Sequence, residues 1–306
     1  MSNTSVHVVR EYHGLPPPRG YQTPTPAELV ELCTAEHPQG YNMGLAHPPE
    51  APVFWIKYGT SVIWNEVPAQ IMAYEELRRM KSPVKAPGIF YACEIEESPG
   101  SGNCKSFIVR ELILGKTADE WLMVMEDPAR QDSIYSSIAF ALSELLRIPI
   151  TPESRPAAID GGRIRHALFD CQEAPRHYQN VGQLEDHLNL FLKKIPKRKS
   201  RVQGLSREPM VFCYSDVRLG NFIIDDNDNV SVLDFADTSI LPSSFSKFVL
   251  SAGETKIKRD ISGLVQLPTT EGVDNTAALR DVSGPMVMGP SSFATSGRQI
   301  PGGGSK

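Results

Sequence analysis

The sequence predicts an α+β fold in two lobes: a small N-terminal lobe of sheet plus one helix, and a larger, mainly helical C-terminal lobe. Two observations carry this. Up to about Gly115, β-forming runs surround a single amphipathic stretch, and beyond it the apolar spacing turns helical. A third feature lies late in the chain: Met210 to Phe235 alternates short apolar runs with turns that carry carboxylates. The divisions expected are an extended arm over 1–25, an N-lobe over 26–111, a C-lobe over 112–250 and a C-terminal extension over 251–306 whose glycine-rich end does not order.

The elements follow in order. Gly14, Pro16, Pro17, Pro18 and Gly20 make the start an extended arm. Val53 to Tyr58 is rich in β-formers and ends near Gly59. Asn65 or Glu66 opens a helix that tolerates Pro68 in its first turn and runs to about Met80, with Ile71, Tyr74 and Leu77 along one side. Gly88 to Ala92 and Ser106 to Leu112 are two further strands separated by a polar loop. In the C-lobe, Asp132 caps a helix with Ile134, Ile138, Ala141, Leu142, Leu145 and Leu146 on one face, and Pro149 ends it. Leu184 to Lys194 is a second helix. Asp225 to Asn229 turns the chain between Phe222-Ile223-Ile224 and Val230-Ser231-Val232-Leu233. From Ser251 onward the apolar periodicity fades.

Composition narrows the function. The 306 residues are 41% hydrophobic and 22% charged, enough for a packed core. A net charge of −5 does not suggest a nucleic-acid binder. No stretch approaches the roughly 20 apolar residues of a membrane span, and the first residues lack the apolar core of a cleaved signal. The five cysteines are scattered with no CxxC pair, so they read as reduced thiols in a cytoplasmic protein, where the Asn3-Thr4-Ser5 sequon is irrelevant.

The chemistry gathers at Tyr214-Ser215-Asp216-Val217-Arg218-Leu219-Gly220-Asn221, with Asp234-Phe235 beyond it. Asp216 follows an apolar strand, where an ionised carboxylate can orient a substrate hydroxyl. Asn221 and Asp234 are hard oxygen donors suited to magnesium, with phosphate oxygens and water completing the shell. Any one of them alone would read as a turn residue. Three at these spacings between apolar strands point to phosphoryl transfer.

The block resembles the HGDxxxxN…D signature of the aminoglycoside phosphotransferase-like kinases and, more distantly, the HRDxKxxN…DFG set of protein kinases. It is most similar to a fungal group in that family with a lysine-tyrosine-glycine strand end, here Lys57-Tyr58-Gly59. The resemblance implies a protein-kinase-like fold over about residues 50–250, Asp216 as catalytic base, and Asn221 and Asp234 as magnesium ligands. Arg218 resembles the protein-kinase lysine near the transferred phosphate, where it could neutralise developing charge; a plain surface arginine is the alternative. Lys57 would hold the α- and β-phosphates, with a glutamate partner on the next helix: Glu66 in preference to Glu75 or Glu76. A snorkelling edge lysine is the bland reading of Lys57. Phe107 to Thr117 resembles the link between lobes, which would place adenine against the backbone of Arg110, Glu111 and Leu112. Gly40-Tyr41-Asn42-Met43-Gly44 stands where a phosphate-covering loop belongs but is glycine-poor.

Tyr214 and Ser215 depart from the pattern, standing where the family has histidine and glycine. They motivate the second reading, a pseudokinase-like nucleotide-binding or scaffold protein without turnover. A protein kinase is a third and weaker reading, because no APE-type segment follows Asp234.

Other signals carry less. Asp225 to Asn229 partly mimics a calcium loop, but Val230 and Ala236 stand where its glycine and glutamate belong. The Lys193 to Arg201 charge run reads as a solvated face. His166, His177 and His187 lack metal-ligand spacing, and no GxSxG supports a serine hydrolase. Thr151 to Leu205, which lines the acceptor pocket in such folds, has ten Lys/Arg against six Asp/Glu. A pocket for polycationic aminoglycosides would be acidic, so the expected partners are ATP, Mg²⁺ and some other small hydroxylated metabolite.

Overall fold

The computed structural model describes residues 6–37, 43–97, 100–193, 200–252 and 254–287. The Asn3 sequon, Gly40 to Asn42 of the candidate phosphate loop, most of the Lys193 to Arg201 run and the glycine-rich end lie outside the described residues.

The first lobe is a five-stranded antiparallel sheet: β1 (His7–His13), β2 (Met43–His47), β3 (Phe54–Gly59), β4 (Ile89–Glu96) and β5 (Cys104–Glu111), in the order β1-β4-β5-β3-β2. Of the arm expected over 1–25, His7 to His13 joins the sheet as the edge strand β1. Between β1 and β2 lies α1 (Pro26–Glu36), which sequence periodicity did not announce. Thr25 and Glu28 close a capping box at its start. Only Leu29 and Cys33 of this helix are buried, too few to make a stripe.

Strand period 2 sorts the β3 side chains. Phe54, Ile56 and Tyr58 enter one apolar cluster with Leu29, Cys33, Phe107 and Val109. Lys57, between them, points to the other face, where Val67 of α2 (Glu66–Arg79) and Val62 before it pack on Ile89, Ala92 and Ile108 of the sheet.

Beyond β5 come β6 (Lys116–Thr117), α3 (Ala118–Val124) and α4 (Pro128–Leu146). The cap of α4 is Asp127, accepting from the Ala129 N–H, not Asp132 as expected. Its first six residues include none that is buried, so the apolar face that betrays the helix starts only at Ile134. After β7 (Ala157–Ala158), α5 runs Val181–Leu192, starting earlier than the expected Leu184 because Asn180 supplies the cap. Then follow β8 (Met210–Tyr214), β9 (Phe222–Ile224), β10 (Val230–Val232) and β11 (Thr238–Pro242), which build two small antiparallel sheets, β10-β9-β6 and β7-β11-β8. The chain continues through α6 (Ser243–Ala252), α7 (Glu254–Ile257) and α8 (Thr276–Val287).

The expectation that apolar periodicity ends at Ser251 is corrected by α8. Ala278, Leu279, Val282 and Met286 are buried in the same core as α4, α5 and α6, together with Ile257, Ile261 and Val265. A helix with so narrow a stripe, approached through an irregular segment, leaves little periodic signal. Among the described residues no helix is long and apolar enough to cross a membrane.

Candidate active site

The site forms where β3, the start of α2 and the β8–β9–β10 region converge. Lys57 Nζ lies 2.7 Å from Glu66 Oε2 and 3.0 Å from Asp234 Oδ1. One ammonium therefore joins residues 177 positions apart. Of the three candidate partners on α2, it is Glu66 that meets Lys57, because the helix begins there and turns its first residue inward. Burial works against the Lys57 charge, but Glu66 and Asp234 outweigh it and hold the ammonium's pKa above its ordinary value.

Asp234 sits in the left-handed region, with φ of 58°. Aspartate visits this region more readily than most residues, and the conformation costs of order 1 kcal/mol or more elsewhere repaid. It directs the carboxylate to Lys57 in place of continuing β10.

Asp216 lies just past β8. Its Oδ1 accepts from Arg218 Nε at 2.7 Å and from Lys256 Nζ at 3.1 Å. Asn221 Nδ2 donates to the Asp216 carbonyl at 2.9 Å and to Oδ2 at 3.2 Å, pinning the loop upon itself. Burial alone would raise the Asp216 pKa; Lys256 and Arg218 overcome this and hold it below the usual carboxylate value. The guanidinium of Arg218 is thus a partner of the candidate base as well as a surface group.

Tyr214 and Ser215, the two departures, are both satisfied. The buried Tyr214 hydroxyl donates to the Leu233 carbonyl at 2.8 Å, immediately before Asp234, and the ring packs edge-on against Phe222 and Phe235. The Ser215 N–H and Oγ both donate to the Asp237 carbonyl. Asp237 itself pairs with Arg165 at 2.8 Å. Burial nevertheless pushes the Asp237 pKa up, aided by the nearby Asp216 and Asp234 charges. Such crowding of carboxylates is an environment that a cation would relieve.

Magnesium is tested by its donor set. Asn221 would contribute its amide oxygen and Asp234, whose Oδ1 lies on Lys57, its Oδ2. Two hard oxygen donors fit a metal that keeps its water and takes phosphate oxygens. Among the described residues no cluster of three or more His, Cys, Asp or Glu offers an all-protein metal cage.

At the interlobe strand, the Glu111 N–H donates to the Gly88 carbonyl and the Leu112 N–H to the Val53 carbonyl. Glu111 Oε2 accepts from the Gly88 N–H at 2.8 Å. The Glu111 and Leu112 N–H groups are therefore engaged, and the next residues, Ile113 and the 77% exposed Leu114, follow directly. The Arg110 side chain, read in sequence only for its backbone, is buried near Glu66 and Asp234; burial lowers its pKa to about 10, so it stays charged at neutral pH.

Asn65 was expected as a possible cap of α2. It makes no capping bond. Its Nδ2 instead donates to the Ala236 and Thr238 carbonyls at 2.8 and 2.9 Å, and its Oδ1 accepts from the Asp160 N–H at 3.1 Å. This buried amide ties the first lobe to the segment after Asp234. Neither Asn65 nor Lys256 carries a local motif; only their long-range contacts reveal them. The basic surplus expected of Thr151 to Leu205 is reduced where Arg165 pairs with Asp237 outside that segment, and Lys194, Lys197, Arg198 and Lys199 fall outside the described residues.

With this geometry, the sequence match gains its meaning. The model of the phosphotransferase enzyme family matches residues 65–243, more than half of the chain, and the chain belongs to that family. The matched stretch begins at Asn65 and ends at Ser243, so Lys57 and Lys256 lie on either side of it. Solved structures it is similar to include the aminoglycoside phosphotransferase APH(4)-Ia, at 13% identity and a TM-score of 0.47, covering 89% of this chain and 96% of that one. Another is the streptomycin–ATP ternary complex of APH(2″)-IIa, at 14% identity and a TM-score of 0.42, covering 90% and 95%. The AMP-bound spectinomycin phosphotransferase APH(9)-Ia follows at 11% identity and 0.38, covering 85% and 88%. No curated protein matches the sequence.

Proposed function

We propose that the protein is a two-lobed, kinase-like phosphotransferase that uses ATP and Mg²⁺ to phosphorylate a hydroxyl of a small molecule. The observation that carries this is the double ion pair of Lys57 with Glu66 and Asp234, which unites strand, helix and loop at one point. A partly buried ammonium held by two carboxylates adds little net stability, and charge clusters of this kind gather at functional sites.

In this reading Lys57, oriented by Glu66, binds the α- and β-phosphates, while Asn221 and Asp234 hold magnesium, which neutralises phosphate charge when bound. Adenine lies along the strand that contains Arg110, Glu111 and Leu112; because the Glu111 and Leu112 N–H groups are engaged, its edge meets the backbone of Ile113 and Leu114. Asp216 accepts the hydroxyl proton as the acceptor oxygen attacks the γ-phosphorus. A P–O bond forms, the bond to the β–γ bridging oxygen breaks, and ADP leaves with that electron pair. Arg218 offsets the charge that develops on the transferred group.

Turnover is favoured over the pseudokinase reading by Tyr214 and Ser215. Both substituted side chains keep hydrogen bonds that brace the loop between Asp216 and Asp234, so the departures do not dismantle it. The test is Mg·ATP binding, followed by thermal shift with and without Mg²⁺, for wild type and Lys57→Ala. Magnesium-dependent stabilisation of wild type alone is expected. An identical response from Lys57→Ala would remove the site from this position.

A further inference from the structure

Lys256 stands outside the family-matched stretch, yet its ammonium is 3.1 Å from the candidate catalytic carboxylate. The segment that carries it is anchored. Ile257 and Ile261 are fully buried in the C-lobe core. Lys258 pairs with Asp119 of α3 at 2.9 Å, and Arg259 pairs with Asp132 of α4 while covering the Tyr135 ring. Lys256 is thus presented to Asp216 by a built element.

Its presence poses a problem that a hydroxyl acceptor must solve. Asp216 Oδ1 already takes two charged donors, Arg218 and Lys256, and Oδ2 takes Asn221. An ionised carboxylate has about four acceptor sites, so an incoming hydroxyl either takes the one left on Oδ2, close beside Lys256 and Arg218, or displaces a donor from Oδ1. Lys256 has the longer contact with Oδ1, and its side chain is 39% exposed, so it can swing aside. A displaced ammonium beside Arg218 then faces the acceptor with no carboxylate of its own. Arg218 and Lys256, 59% and 39% exposed, stand further out than Asp216, Asp234 and Asp237, at 12%, 30% and 16%, so cations line the outward side of the base while the carboxylates lie deeper. A cationic acceptor would be repelled there, and a neutral one would leave Lys256 unpaired. An acceptor bearing an anionic group near its hydroxyl would take up the displaced charge.

We propose that Lys256 is the specificity-determining residue of the acceptor site and that the acceptor is an anionic hydroxy compound, with a carboxylate or phosphate close to the phosphorylated hydroxyl. This inference rests on the phosphotransfer reading and names its acceptor class.

The experiment uses the full chain with Mg·ATP and acceptors of one skeleton: glycerol, glycerate, glycerol 3-phosphate and 3-amino-1,2-propanediol. Wild type should turn over glycerate or glycerol 3-phosphate with higher kcat/KM than glycerol, and the amine least; the two anions tell carboxylate from phosphate. In Lys256→Gln the ratio of anionic to neutral kcat/KM should fall about tenfold, the size of one charge-assisted hydrogen bond. Lys256→Arg should restore it. Mg·ATP binding and the melting curve of each variant show that it is folded. Transfer favouring glycerol or the amine, Mg·ATP binding with no transfer to either anion, or an unchanged ratio in Lys256→Gln would overturn the inference while leaving nucleotide binding intact. Failure of wild type to bind Mg·ATP would instead strike the phosphotransfer reading, and this inference with it.

Discussion

Lys57 shows how far one side chain can organise the site. It is partly buried between the buried Glu66 and the half-buried Asp234, and removing the ammonium leaves the Glu66 charge uncompensated. Lys57→Ala should therefore lower stability by about 3–5 kcal/mol in chemical denaturation. Adding Glu66→Gln should recover part of that loss without recovering Mg·ATP binding, which separates the structural from the ligand-binding role. A lysine double mutant as unstable as the single would show that Glu66 is not its partner. Tyr214 makes a smaller claim. Tyr214→Phe leaves the Leu233 carbonyl without its donor and should cost about 1–3 kcal/mol, read as a shift in denaturation midpoint. A neutral substitution would mean that the hydroxyl does not brace the loop.

At the scale of elements, the contact between α2 and the segment after Asp234 rests on Asn65. Asn65→Ala would leave two carbonyls and the Asp160 N–H without their partner, and should cost about 2–4 kcal/mol. Hydrogen exchange should rise in 234–238 and around Asp160; an increase confined to α2 would show that Asn65 serves only its own helix. What could be read from sequence divides along the same line. Lys57, Glu66, Asp216, Asn221 and Asp234 were legible because each sits at a strand end, helix start or turn with a type and spacing that chemistry restricts. Strand β3 and helix α2 were legible because strand residues alternate and helical ones recur on one face. Helix α1, with two buried residues, and α8, beyond an irregular stretch, gave no such pattern. The contacts that the Arg110, Asn65 and Lys256 side chains make at the candidate site escaped because their partners lie far off in sequence: Asn65 contacts residues up to 173 positions away and Lys256 reaches back 40.

For the molecule as a whole, the C-lobe core contains two histidines that the site does not use. Burial lowers the pKa of His166 to about 3 and that of His187 to about 4, from an ordinary 6.5. The unfolded chain takes up these protons below pH 6.5 while the folded chain does not. Folding stability should therefore fall as pH drops from 6.5 toward 4, by up to about 1.4 kcal/mol per pH unit for each histidine. Denaturation midpoints across that range check this, and a flat profile would mean that the rings are charged in the fold. The central claim concerns both lobes together: Mg·ATP is held through Lys57 and Asp234, and Asp216 takes the proton from the acceptor. Its most direct test is one titration followed by single-turnover transfer of the γ-phosphoryl group, in wild type and Asp216→Asn. Equal Mg·ATP affinity in the two, with transfer reduced in Asp216→Asn by on the order of a hundredfold or more, is predicted. Transfer at the wild-type rate by Asp216→Asn, or no Mg·ATP binding by either protein, would contradict it.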